Sequence, residues 1–162
     1  MMSKFASSSS SPSTYTRTPA SPEDMQVLQK LAKTWAHQEF ENVTFHEGNE
    51  AWASLTFIIP VSEEEDGASA YEAWMADTLL IPKQILDCLS HPFYWNEITR
   101  QVQIRVKIGK GEFDSYMRQL QQGTVFTIGF KPTVFNFTDK NTGKLLQGVS
   151  FRLTRLHPTV LY

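Results

Sequence analysis

Cysteine is almost missing: Cys88 stands alone in 162 residues. A single thiol closes no internal disulfide and supplies no Cys-rich zinc site, so the chain reads as a protein of a reducing compartment, the cytoplasm. No apolar run approaches the roughly 18 residues that span a bilayer, so no membrane role is expected. Glycine-rich phosphate loops, nucleophile elbows and His-Glu-x-x-His pairs are all absent. The four histidines are scattered. His37-Gln38-Glu39 matches half of a zinc deaminase signature, but the second half needs a Pro-Cys-x-x-Cys that one cysteine cannot provide. Cys88 and His91 have a ligand-like spacing and lack two further soft ligands. Little is left for acid–base, nucleophilic or metal chemistry, and the expectation is a non-enzyme with no cofactor and no metal.

Acid is also missing, from one end in particular. No Asp or Glu precedes Glu23, and Ser or Thr fills 11 of the first 21 positions. Such a stretch cannot bury a core, so residues 1–21 read as a disordered tail and 22–162 as one domain. The net charge of −2 conceals a division. Residues 1–99 carry five Lys/Arg against fourteen Asp/Glu, and residues 100–162 carry ten against three. A basic half of this kind suggests a face for a polyanion; the plain alternative is that the two halves neutralise each other across the fold.

Ser21-Pro22-Glu23-Asp24 has the marks of a helix start: a capping Ser, a Pro in the first turn, and acids at the positive end of the dipole. Leu28, Leu31, Ala32, Trp35 and Ala36 continue it as one apolar stripe, which predicts a helix reaching to about Phe40. A short strand over 43–46, a turn at Glu47-Gly48-Asn49 and a buried strand over 51–59 follow. Residues 60–97 form a long insertion. It holds the acid run Glu63, Glu64, Glu65 and Asp66, a short helix opened by Pro82, and His91-Pro92-Phe93-Tyr94-Trp95, which reads as a plug over the core or as a second aromatic cluster beside the basic strand. Residues 98–108 alternate, with Ile98, Val102, Ile104, Val106 and Ile108 on one face and Arg105 and Lys107 on the other. Phe113, Tyr116, Met117 and Leu120 predict a helix of two turns, closed at Gln122-Gly123. Two last strands flank a turn at 139–143, and in the second Val149, Phe151 and Leu153 point inward.

An N-terminal helix, three strands, a helix and two strands is the order of a five-stranded OB barrel. The expected class is therefore mainly β with α (α+β), an OB-fold-like barrel with an N-terminal helix and an insertion between strands 2 and 3 that packs on its outside. Single-stranded nucleic acid is held by cationic grooves and aromatic faces together, and the basic half offers both. The candidate phosphate contacts are Arg105, Lys107, Lys131, Lys144, Arg152 and Arg155. Between Thr124 and Thr138, Phe126, Ile128 and Phe130 share a parity expected in the core. Pro132 then interrupts the pairing as a bulge or edge. Phe135 and Phe137 follow on one face where the strand leaves the barrel, and they are the candidate stacking residues.

The segment GTVFTIGFKPTVFNFTDKNTGKLLQGVSFRLTRL resembles the C-terminal part of small replication-associated proteins of integrating conjugative elements, which are themselves similar to single-strand-binding OB domains. The resemblance lies in Val125 to Lys131, Phe135 to Phe137, Gly143-Lys144 and Gln147 to Leu156, about a third of the chain; the acidic half does not share it. It implies single-stranded DNA binding in replication or transfer of a mobile element or phage. The competing expectation is a protein-interaction or adaptor module whose basic face meets an acidic protein. A homo-oligomer through edge strands and a protein partner for Glu63 to Asp66 are further expectations.

Overall fold

The computed structural model describes residues 18–61 and 67–159. Most of the tail and the acid run at 63–66 lie outside them.

Helix α1 (Pro22–Ala32) begins as its sequence dictates, with the Ser21 hydroxyl accepting the Asp24 amide at 3.1 Å. It ends eight residues before Phe40. Trp35 continues the apolar stripe, but beyond the helix: it is buried, and its indole N–H donates to the Leu79 carbonyl at 2.8 Å. The residues after it enter β1 (Gln38–Asn49), where Gln38 pairs with Phe130. A strand ladder has overridden helical spacing, and the expected short strand and the turn at 47–49 both fall within β1. Asn42 lies in the left-handed region (φ +58°) between the register-shifted pairs at Phe40 and Val43, a bulge position an Asn tolerates.

β2 (Ser54–Ile59) returns antiparallel to β1 and passes its other edge to β4 (Gln101–Lys107). The third strand is shorter than its alternation predicts. Ile98 sits on a turn, almost fully exposed, because the chain before it forms β3 (Phe93–Asn96), a hairpin partner of β4. A single 3-10 turn (Lys110–Glu112) and α4 (Phe113–Met117) replace the expected two-turn helix. β5 (Val125–Thr138) and β6 (Leu145–Pro158) form a long antiparallel hairpin. β5 pairs back to β1, and β4 meets β6 in parallel at Lys107 and Arg152. The ring β1-β2-β4-β6-β5-β1 closes a mixed five-stranded barrel with one parallel contact.

Phe57, Phe126, Phe130 and Phe151 fill the barrel and are fully buried, each contributing about 1.5–3 kcal/mol relative to exposure. The insertion, read from sequence as lying outside, joins this core. Its helix α2 (Gly67–Thr78) sets Trp74 among Phe40, Phe93, Phe130 and Phe151, with ring centroids 5.3–6.2 Å away. After α3 (Lys83–Leu86), Ser90 wedges between β4 and β6. Its amide donates to Gln147 O at 2.9 Å and its carbonyl accepts the Val149 amide at 3.0 Å. Two residues on, the Pro92 carbonyl accepts the Arg105 amide of β4 at 2.9 Å, so the segment 90–92 bridges β6 and β4.

Candidate nucleic-acid interface

Side chains of directly paired residues share a face. On β5 and β6 one face carries Phe130 with Leu153, Pro132 with Phe151, and Val134 with Val149, and it is the core face. The opposite face carries Lys131 with Arg152, Thr133 with Ser150, Phe135 with Gly148, and Phe137 with Leu146. β4 extends this outer face, because Lys107 pairs with Arg152. Lys107, Arg152 and Lys131 therefore form one row across three adjacent strands. Further along the hairpin the row gives way to the two phenylalanines.

Pro132 does not break β5. It is buried and paired with Phe151, and the register slip lies earlier, between Gly129 and Phe130. β1 pairs with β5 only as far as Phe130, so beyond that point β5 is an edge, where proline is tolerated. The barrel core has also run out there. α1 lies against the inner face of the hairpin instead, with the Ala20 amide donating to Gln147 Oε1 at 3.0 Å. Phe135 and Phe137 face away from it, 6.0 Å apart between centroids. Phe137 is 52% exposed and Phe135 half-buried. Gly148 permits this packing: a Cβ there would come within 2.7 Å of the Phe135 ring and 2.2 Å of the Ser90 carbonyl.

A cleft of about 400 Å³ opens on this outer face. Arg105 and Lys107 line it from β4, and Phe135 and Phe137 from the hairpin. Leu146 contributes apolar surface, the buried Val149 and Phe151 border its floor, and Ser90, His91 and Pro92 of the insertion line it as well. Four of the eight residues singled out in the sequence thus share one concavity. Arg152 stands exposed in the adjoining row. Lys131, in the same row, turns its ammonium to the Trp35 carbonyl. Arg155 lies farther along β6, 3.8 Å from Glu39 in an exposed ion pair. Lys144 is exposed at the hairpin turn, outside the cleft.

The described acids of the first half do not pair with the cations of the cleft. Among the described residues the ion pairs are Lys83 with Glu72 and with Asp87, and Arg155 with Glu39. Among the described residues no acid forms an ion pair with Arg105, Lys107 or Arg152. Partial burial pushes the Lys107 ammonium below its ordinary pKa, and the neighbouring Arg105 lowers it further. Two cations held together without a counterion, one of them partly desolvated, make a site that an anion stabilises.

Trp52 also lines the cleft and was not singled out from the sequence. Its signal was available, a large aromatic among small and polar residues before a buried strand. Placing the turn at 47–49 assigned it to the strand instead. His91 and Pro92 belong to the aromatic cluster expected beside the basic strand, but nothing in their spacing indicates that they reach the cleft.

No protein-family model and no curated protein matches the chain. Two crystal structures of the mitochondrial single-stranded DNA binding protein Rim1 of S. cerevisiae are similar to it at 6% identity, with TM-scores of 0.37 and 0.38. The similarity covers 76% of this chain and 92% or 94% of the yeast one.

Proposed function

We propose that this chain binds single-stranded DNA with little sequence preference. The observation that carries the reading is the cleft in which Arg105 and Lys107, neither ion-paired among the described residues, face the same space as Phe135 and Phe137. Phosphates sit on Arg105, Lys107 and Arg152, and bases stack on the two rings, which accept any base because every base has a π face. Lys131, Lys144 and Arg155 extend the cationic track along β5 and β6. The Lys131 ammonium has three donors and spends one on Trp35. The Arg155 pair is exposed and holds at most about 1 kcal/mol, so a phosphate can displace Glu39. The sequence resemblance of residues 123–156 supports a role in replication or transfer of a mobile element or phage.

The test is alanine substitution of the two phenylalanines, read by fluorescent oligo-dT binding and by thermal melting. F135A and F137A should each weaken binding about 5- to 150-fold, the equivalent of one stacked base at about 1–3 kcal/mol. Both should keep a cooperative melt, since Phe137 is 52% exposed and Phe135 lies outside the barrel core. Unchanged affinity in both variants contradicts the reading. Loss of the fold without a specific loss of binding supports a structural role for these rings instead.

A further inference from the structure

The turn between β1 and β2 holds a large aromatic in the open at the mouth of the cleft. Trp52 is 64% exposed, whereas Trp35 and Trp95 are buried and Trp74 is partly buried. The turn is nevertheless tightly held. The Trp52 amide donates to Asn49 Oδ1 at 3.1 Å. The Ala53 amide donates to Glu50 O at 3.1 Å, and its carbonyl accepts the Ile108 amide at 2.9 Å. Ala53 is buried with φ +47°, a left-handed conformation that disfavours any residue with a Cβ. Next to it, Ser54 pairs with Lys107, so the turn that carries the indole leads directly into the strand residue beside the cation, and both Trp52 and Lys107 line the cleft.

A fixed, strained turn presenting an exposed indole is opposed by burial and by backbone preference alike. A flat ligand that covers the ring answers the exposure, and the strained backbone at Ala53 is what holds the ring out to meet it. We infer that Trp52 is a third base-stacking platform, on the side of the cleft formed by the β1–β2 turn, and that the site therefore accommodates at least three nucleotides. This rests on the proposed single-strand binding. It adds a contact from an element outside the basic half, which the charge division does not point to.

Substitution and fluorescence on the full chain test it, with oligo-dT as the probe. W52A should weaken binding about 5- to 150-fold and leave the salt slope unchanged, because a stacked indole neutralises no phosphate. W52F should recover most of the loss. In the unsubstituted protein, saturating oligo-dT should protect the acrylamide-accessible tryptophan emission, and W52F should lack that accessible component. Wild-type affinity in W52A, or accessible emission that oligo-dT leaves unprotected, overturns the inference. A reduced salt slope in W52A also overturns it, since the turn would then act by positioning Lys107. If the unsubstituted protein binds oligo-dT and R105A/K107A lowers its salt slope, the proposed function stands whatever W52A does. If the unsubstituted protein binds no oligonucleotide, both fail.

Discussion

Lys107 and Arg105 stand two positions apart on β4, on the same face, with no ion-pair partner among the described residues. The partial burial of Lys107, and after it the repulsion from Arg105, lower its pKa from 10.5. The sign of each consequence follows. In the free protein the charged form is held less well than in the unfolded chain. Lys107 therefore opposes folding at neutral pH, and that opposition is relieved as pH rises from its lowered pKa towards 10.5. Binding runs the other way, because a phosphate requires the charged form. Oligo-dT affinity should be level at neutral pH and then fall in the alkaline range earlier than an ordinary lysine allows, by at most about tenfold per pH unit for one proton. K107R stays charged throughout and should abolish that early fall, as a binding titration across alkaline pH will record. An identical profile in K107R would place the phosphate elsewhere.

At the scale of elements, the insertion is the part whose behaviour its sequence least discloses. Trp74 packs into the barrel against Phe40, Phe130 and Phe151, so barrel and insertion should unfold as one unit. W74A should lower stability by about 3 kcal/mol and shift one urea transition. A loss under 1 kcal/mol, or a separate early transition, would mean that the insertion folds on its own. Legibility divides along the same line. The β6 alternation of Val149, Phe151 and Leu153 against Ser150 and Arg152 could be read directly, because one face is core and period 2 is strict. That Phe135 and Phe137 share one face was readable for the same reason; that this face is the outer one was not, because parity alone does not say where the barrel core ends. The end of α1 was not, since the buried position of Trp35 satisfies a helical stripe as well as it satisfies the loop it occupies. Nor was the Ser90 wedge, which consists of main-chain hydrogen bonds and a close approach to Gly148 that no side-chain pattern announces.

For the whole molecule, the charge division acquires a spatial meaning. The barrel order brings β4 beside β6, 45 positions apart at the Lys107 and Arg152 pair, and so turns a basic half of the sequence into a basic face. The measurement closest to the central claim is a salt titration of oligo-dT binding beside a duplex of equal length. With phosphates on Arg105, Lys107 and Arg152, the logarithm of the binding constant should fall with the logarithm of salt at a slope of about −2, roughly 0.7 for each phosphate. Oligo-dT should bind more tightly than the duplex at every salt concentration. Absence of binding at low salt with micromolar protein, or equal or tighter binding of the duplex, would contradict a single-strand site on this face.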